Sequence, residues 1–235
     1  MLDWLPENVS TYGGRIDFFF YVIYYITAGV FFLVAGAMIY FLVKYRHREG
    51  RRAVYSHGNT TLEWIWTSAT TVAMLVLALV SKPLWGEIKQ SRPAPDVQVR
   101  VAGKQFNWQI VYPGPDAQFD TADDYQIDND LHVPVDAVVH VHLSSLDVIH
   151  SFFVPQLRLK QDAVPGHNIT AWFQATKPGV YEIPCAELCG FGHSGMKGTL
   201  YVDTKEDYDA WVQQTWPPAE EEAAPADLAP AENEQ

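Results

Sequence analysis

The chain has few cysteines and few basic residues for its length, and both shortages narrow its possible functions. Its 235 residues include two cysteines, which allow at most a single disulfide. Only 16 lysines and arginines oppose 28 acids, and the resulting formal charge of −12 disfavours nucleic acid as a partner and favours a basic one. The motif Cys-x-x-Cys-His is absent, so we expect no c-type haem domain to be fused to the chain.

Charge is also missing from a long stretch near the N-terminus. Residues 18–43 contain no charged side chain and are rich in Phe, Tyr, Ile, Val and Ala. Because a membrane crossing needs roughly 20 apolar residues, we predict a transmembrane helix over residues 18–43. Neither a basic segment nor a small-residue cleavage site precedes it, so we expect a permanent anchor and not a signal peptide.

A second uncharged run starts at Trp64 and ends at the pair Lys82-Pro83. Several Thr and Ser residues in its first half would suit a buried core helix, but its position after the first run favours a second transmembrane helix over residues 62–82. The loop between them, residues 44–61, carries five basic residues and one acid. The positive-inside rule places this loop in the cytoplasm, so residues 1–17 and the chain beyond about residue 85 lie outside.

The segment over residues 95–210 is predicted to form an all-β domain. Short runs with alternating polarity are separated by Pro or Gly, which is typical of a β-sandwich or barrel. The candidate strands cover residues 97–101, 106–110, 138–143, 169–173, 180–183 and 199–202. Residues 217–235 contain six acids, no basic residue and mostly Pro, Ala and Glu otherwise, so we predict a disordered acidic tail.

Both cysteines lie in one short segment, residues 185–196, termed here the Cys loop. Cys185, Cys189, His193 and Met196 fall within it, and His150 precedes it in the chain. Two thiolates, two imidazoles and a thioether favour copper over hard cations. Zinc also accepts two Cys and two His, but it rarely recruits a thioether and the usual finger spacings are absent. A disulfide, or two inert buried cysteines, would leave the other ligand types unexplained.

The pattern Cys-x-Glu-x-Cys-x-x-x-His-x-x-Met, preceded by two helices, resembles subunit II of cytochrome c oxidase, a haem-copper terminal oxidase. The resemblance covers nearly all of residues 15–210 and implies a cupredoxin-like domain after a two-helix hairpin. Its supporting motifs are Thr61-Leu62-Glu63-Trp64, Gly103-Lys-Gln105-Phe-Asn-Trp108, Asp147-Val-Ile-His150-Ser-Phe and Lys160-Gln-Asp162-Ala-Val-Pro165-Gly.

The resemblance implies a dinuclear copper centre. Cys185 and Cys189 would bridge two copper ions, and His150 and His193 would each bind one ion. Met196 would be a weak further ligand. The two bridging thiolates would spread the charge over both metals, which keeps the rearrangement on electron transfer small.

A residue between the two cysteines, Glu187, would contribute its backbone carbonyl to copper. Its carboxylate would reach a magnesium ion at the contact with subunit I, although a merely solvated side chain is the alternative.

The implied function is electron transfer within a membrane complex. The copper centre would accept single electrons from cytochrome c, or a similar basic donor, and pass them to haem in subunit I for O₂ reduction coupled to proton pumping. Subunits I and III and the membrane are the expected partners, and nucleic acid is not. We expect a bacterial inner-membrane protein with the copper domain in the periplasm.

Two other functions compete with this one. A quinol oxidase subunit II lacks the copper site and is structural, which the intact ligand set argues against. A soluble copper carrier, or a reductase with the same centre such as nitrous oxide reductase, is disfavoured by the two predicted helices.

The roles of two sites stay open: the point at which electrons arrive and the carboxylate at the start of the second helix. The family has a Trp where this chain has Phe106, so the point at which electrons arrive could be Phe106 or Trp108, and Trp108 could equally be core. Glu63, in the first turn of the second helix, fits either the helix dipole or the mouth of a proton path into subunit I.

The acidic segment 113–130 could be a solvated loop, a docking surface for a basic protein, or a calcium site without the usual spacing. The remaining histidines of the β domain are predicted to be structural; they are His132, His140, His142 and His167.

Overall fold

A computed structural model describes residues 4–216. The predicted disordered tail, residues 217–235, lies outside the described residues. The described residues include three helices: α1 (Gly13–Lys44), α2 (Thr60–Lys89) and α3 (Lys205–Thr215). The first five strands are β1 (Val97–Lys104), β2 (Asn107–Tyr112), β3 (Tyr125–Asp128), β4 (Asp130–Pro134) and β5 (Val138–Ser145). The other five are β6 (His150–Val154), β7 (Leu159–Ala163), β8 (Ile169–Gln174), β9 (Gly179–Pro184) and β10 (Lys197–Asp203).

The first two helices are long and apolar enough to cross a membrane. The best 18-residue windows of α1 and α2 have mean hydropathies of 2.3 and 1.7, and none of the other residues that the structure describes buries their side chains. A helix that is apolar on all sides and left uncovered needs a lipid or protein environment. Helix α1 extends beyond the predicted residues 18–43: it begins at Gly13, before the apolar run, and ends at Lys44.

The second helix continues beyond residue 82, the predicted end of the second membrane span. Helix α2 continues through Pro83 to Lys89. A proline removes one backbone hydrogen bond of the helix. Packing holds the turns that follow, because Leu84 and Ile88 pack with Tyr12, which precedes α1, and with Trp172 in β8. The helix starts where predicted within two residues, and the side chain of Asn59 caps it by accepting a bond from the N–H of Leu62.

The β domain is a sandwich. One sheet has the order β3-β2-β1-β5-β8, the other has the order β4-β10-β9, and β6 and β7 form a separate hairpin. Strand β5 shows why two sheets stack: Val139, Val141 and Leu143 point into the core, while the residues between them face outward. The all-β prediction and its six strands are confirmed, whereas β3, β4, β6, β7 and α3 were not predicted.

The N-terminal segment ties the helices to the sandwich. Val9 is buried in the sandwich core, and the hydroxyl of Tyr12 donates to the carbonyl of Trp172 at 3.1 Å. The indole N–H of Trp172 in turn donates to the carbonyl of Ile88 in α2 at 3.0 Å. The predicted outer segment, residues 1–17, is therefore not a free extension: in its described part it packs on the β domain.

Three connections meet at one end of the sandwich. They are the β1–β2 turn at residues 105–106, the β5–β6 loop at residues 146–149 and the Cys loop between β9 and β10. The N–H of Ala186 donates to the carbonyl of Ser151 at 3.0 Å, and the N–H of Cys185 donates to the carbonyl of Met196 at 3.0 Å. The loops that carry His150 and the two cysteines therefore meet at the same end, or pole, of the sandwich.

Candidate metal centre

The two cysteines face each other across a small gap at this pole. Both are buried and unoxidised, and their sulfur atoms are 3.9 Å apart. A disulfide needs a sulfur–sulfur distance of about 2.05 Å, so the two thiols are not bridged. A thiolate–metal bond is about 2.3 Å long, so a pair of sulfurs at 3.9 Å can contact the same ion. The disulfide alternative is thus not what the fold displays.

His150 approaches the first of these sulfurs. Its Nδ1 atom lies 3.8 Å from Sγ of Cys185, and its ring is completely buried. The ring lies directly on Gly103 of β1, where a Cβ atom would come within 2.6 Å of the imidazole. Only glycine at this position leaves room for the ring, so β1 helps to aim His150 at the cysteines.

The remaining donors surround the same pair of sulfurs. Nδ1 of His193 and Sδ of Met196 lie 3.6 and 3.8 Å from Sγ of Cys189. The carbonyl oxygen of Glu187 lies 3.3 Å from Sγ of Cys185, while the Glu187 side chain is exposed. Each sulfur therefore has one imidazole and one weaker donor beside it. All six residues predicted as copper ligands come together.

This donor set fits a soft metal. The ligand atoms of His150, Cys185 and Cys189 all lie within 4.8 Å of one another, and all three residues are buried. Burial raises the pKa of the Cys189 thiol to about 11, and the neighbouring Cys185 thiol adds to the rise. Because a metal binds the deprotonated thiolate, it must displace this proton. Sulfur and imidazole donors without a converging carboxylate favour copper or zinc over calcium or magnesium.

A carboxylate beside the cluster, that of Asp147, contacts His150, a role that the sequence did not predict. Oδ1 of Asp147 lies 2.8 Å from Nε2 of His150. Burial opposes the ionisation of Asp147, but bonds from His150 and from the N–H groups of Gln105 and Val148 outweigh it, so its pKa lies below the ordinary value. The spacing Asp-x-x-His before a strand was the signal that could have identified it.

The two aromatic residues proposed to receive electrons have very different positions. Trp108 is 0% exposed, and its indole N–H donates to the carbonyl of Ile183 at 3.1 Å. It is core, so a docked protein cannot touch it, although its ring packs edge-on against His150. Phe106 is 39% exposed and lies so close to the Cys loop that a Cβ on Gly192 would come within 2.5 Å of its ring.

Further exposed apolar side chains lie in the loops at the same pole, and the sequence did not indicate them. Phe191, at the tip of the Cys loop, is 105% exposed. Leu188 in the same loop and Leu146 and Ile149 in the β5–β6 loop are also exposed. The rim of the centre is therefore more apolar than the acidic composition of the chain indicates.

The acids of segment 113–130 mostly lie away from the centre. Asp116, Asp120, Asp123 and Asp124 follow the end of β2 that is opposite to Phe106, roughly 20 Å along the strand. The carboxylates of Asp116, Asp123 and Asp124 accept bonds from groups of the loop itself, and that of Asp120 pairs with Arg100 at 2.7 Å. This arrangement supports the solvated-loop interpretation. Asp128, which accepts a bond from Asn107, lies instead near the Phe106 end of the sheet.

The other candidate residues lie away from the cluster. Glu63 is exposed in the first turn of α2, where an acid favours the helix dipole. His132 pairs with Asp203, His140 with the carbonyl of Pro93 and His142 with Thr170. Such contacts are those of structural side chains. His167 is exposed in the turn before β8.

A cupredoxin-like sandwich with a thiol–imidazole cluster at one pole, joined to two helices that are long and apolar enough to cross a membrane, defines a membrane-anchored protein with a candidate soft-metal site. A family profile described as "Cytochrome C oxidase subunit II, periplasmic domain" matches residues 106–202. A second profile, described as "Cytochrome C oxidase subunit II, transmembrane domain", matches residues 5–84. The chain belongs to the cytochrome c oxidase subunit II family.

Individual relatives agree with these profiles. The chain is 33% identical over 233 residues to the alternative cytochrome c oxidase subunit 2 of Bradyrhizobium diazoefficiens, which covers 90% of this chain and 83% of that protein. It is 32% identical over 264 residues to cytochrome c oxidase subunit 2 of Thermostichus vulcanus, with 89% and 78% covered.

A solved structure, the periplasmic domain of subunit II of cytochrome oxidase of Bradyrhizobium japonicum, is 29% identical, with a TM-score of 0.47, and covers 52% of this chain and 95% of that one.

Membership of this family makes the chain a subunit of a respiratory oxidoreductase complex. It is an integral membrane protein with two spans, and its β domain is periplasmic. The predicted orientation, with the basic loop in the cytoplasm, agrees with this location.

Proposed function

We propose that the Cys loop and His150 hold a dinuclear copper centre that accepts single electrons from a cytochrome c and passes them to haem in subunit I. The observation that best supports this proposal is that the two thiols face each other, 3.9 Å apart, and that each has one imidazole beside it. When bound, the two copper ions supply a one-electron acceptor. Reduction of O₂ and the pumping of protons would then take place in subunit I.

The chain's own residues contribute rigidity and exclusion of water. Cys185 and Cys189 are held at the end of β9 and in a glycine-rich turn, and His150 opens β6. Buried donors that are fixed by packing change little when charge is added, and the apolar surroundings keep solvent from rearranging. Met196, beside Cys189, and the carbonyl of Glu187, beside Cys185, would serve as the weaker ligands.

Phe106 is the residue that would face the donor. It is exposed, it lies on the Cys loop, and the alternative, Trp108, is buried. The exposed carboxylate of Glu187 is free to reach beyond the β domain, and we propose that it contributes to a magnesium site shared with subunit I. Subunit III would complete the membrane complex. A copper-less quinol oxidase subunit is disfavoured because it would not need a converging set of soft donors.

Rapid mixing of the purified complex with a basic cytochrome c under anaerobic conditions tests the electron-acceptor role. Donor oxidation and copper reduction should proceed together. Because the chain carries a formal charge of −12, the second-order rate should fall about tenfold or more as salt shortens the screening length from roughly 30 Å at 0.01 M to about 8 Å at 0.15 M. A rate unaffected by salt would contradict a basic donor and point to recognition through the apolar rim.

Glu63 is proposed as the mouth of a proton path, and Glu63→Ala tests it. Turnover should slow while copper reduction by the donor stays normal, because only proton delivery is impaired. The matched control is Asn59→Ala, which removes the cap of the same helix without removing a carboxylate. If both variants slow turnover equally, or if neither does, Glu63 acts only on the helix end.

A further inference from the structure

Beyond the six proposed ligands, one carboxylate connects the three loops of the centre. Asp147 lies in the β5–β6 loop, three residues before His150. Its two oxygens have different partners: Oδ1 is 2.8 Å from Nε2 of His150, and Oδ2 accepts the backbone N–H of Gln105 at 2.7 Å. The side chain of Gln105 then donates to the carbonyl of Cys189 at 2.5 Å. A single chain of contacts therefore runs from His150 to the Cys loop.

We propose that Asp147 is a positioning residue, which orients the imidazole of His150 and, through Gln105, ties it to the loop that carries both cysteines. The proposal rests on the proposed function, since it concerns how this site holds copper. It adds a residue that contacts no metal but determines which ring nitrogen of His150 points to the cysteines.

The imidazole of His150 has two nitrogens, and only one can face the sulfur. Nδ1 lies 3.8 Å from Sγ of Cys185, so Nε2 must be the protonated nitrogen when Nδ1 binds a metal. In the described structure, Asp147 is the polar group in contact with Nε2. A carboxylate that accepts this N–H fixes both the tautomer and the ring orientation, and makes the other nitrogen a stronger ligand.

Asp147 is itself held in place by its own loop. The N–H of Val148 donates to Oδ1 at 2.6 Å, and the N–H of Asp147 is bonded to the hydroxyl of Ser145 at 3.3 Å. These bonds leave the carboxylate one orientation, with one oxygen toward His150 and the other toward Gln105. An oriented carboxylate is what a positioning role requires, because a mobile one would transmit no geometry to the ring.

Gln105 extends the same constraint to the second half of the centre. Its neighbour Phe106 lies on the Cys loop, and its own amide fixes the carbonyl of Cys189, the residue whose sulfur contacts His193 and Met196. Movement of either loop away from the other would break a bond to Asp147 or to Gln105. The two imidazoles are thus kept at a constant separation, which a centre shared equally by two metals needs.

Copper binding and the copper spectrum of the full chain in detergent test the proposal. Asp147→Ala should raise the copper dissociation constant about 10–100-fold and make the sharing of the electron between the two coppers unequal. Asp147→Asn keeps the shape but offers one acceptor oxygen instead of two, so its effect should be intermediate and should remain measurable if Asp147→Ala does not fold. Gln105→Leu keeps the bond to His150 and should have a smaller effect than Asp147→Ala.

The matched control is Glu182→Gln. Glu182 lies on β9, the strand that leads into the Cys loop, and its substitution removes one negative charge from an exposed pair with Lys197. It should leave copper affinity and spectrum unchanged. A wild-type affinity and spectrum in both Asp147 variants would overturn the positioning role. A wild-type chain that binds no copper would instead contradict the proposed function, so the two failures are distinguishable.

Discussion

Replacing either Cys185 or Cys189 by Ser should remove the paired copper and stop electron acceptance. A serine hydroxyl is a hard, protonated donor at neutral pH and cannot replace a soft bridging thiolate. Loss of a residue that only hydrogen-bonds a metal ligand lowers metal affinity about 10–100-fold, so loss of a bridging ligand itself should lower copper affinity further. Copper content of the purified chain and turnover with a cytochrome c donor measure the effect.

Ser194→Ala is the matched control for the cysteine variants. Ser194 lies in the same loop and is exposed, so its loss should change neither copper content nor turnover. Circular dichroism of each variant shows whether the sandwich is retained. A Cys185→Ser or Cys189→Ser variant that keeps its full copper content and wild-type turnover would contradict the proposal that both sulfurs are ligands.

The second large effect is expected at the junction between helices and sandwich. Arg158 and Asp17 are 9% and 19% exposed, and two nitrogens of the arginine bind the carboxylate at 2.7 and 3.0 Å. The same guanidinium donates to the carbonyls of Pro155 and Pro6. Arg158→Ala leaves a largely buried carboxylate without this partner, which should lower the free energy of unfolding by about 3–5 kcal/mol. The thermal midpoint should fall by roughly 6–20 °C.

Lys177→Ala provides the comparison for Arg158→Ala. Lys177 and Glu7 also join the N-terminal segment to the sandwich, at 2.7 Å, but the two side chains are 56% and 60% exposed. Water screens such a pair, so its removal should have a much smaller effect. Thermal unfolding of the detergent-solubilised chain measures both variants. Equal shifts in the two would show that burial of the Arg158 pair adds nothing to the junction.

The parts of the fold that the sequence predicted are those with a simple repeating pattern. The uncharged run of residues 18–43 formed the expected helix and the alternating run 138–143 the expected strand. A membrane helix requires an unbroken apolar run, and a strand with one buried face requires alternation. The end of α2 was missed because Pro83 is a helix breaker only when nothing else holds the following turns. There, packing of Leu84 and Ile88 against the β domain decides the outcome, and that contact has no local signal.

The candidate site was predictable in its ligands but not in its surroundings. The Cys loop places three donor types, thiolate, imidazole and thioether, within twelve residues, so their chemistry alone indicated a soft metal. The bonds of Asp147 to His150 and Gln105 join residues from separate loops, and only the fold reveals them. The burial of Trp108 and the exposure of Phe191 depend on which face of the sandwich each occupies. A short motif around either residue does not determine that face.

The central claim is that two facing cysteines, each beside an imidazole, hold two coppers that share charge equally. The most direct test is copper analysis combined with electron paramagnetic resonance of the purified full chain. The account predicts two copper ions per chain and a hyperfine pattern from one electron spread over two equivalent nuclei. One copper per chain, with the pattern of an electron confined to a single nucleus, would contradict it.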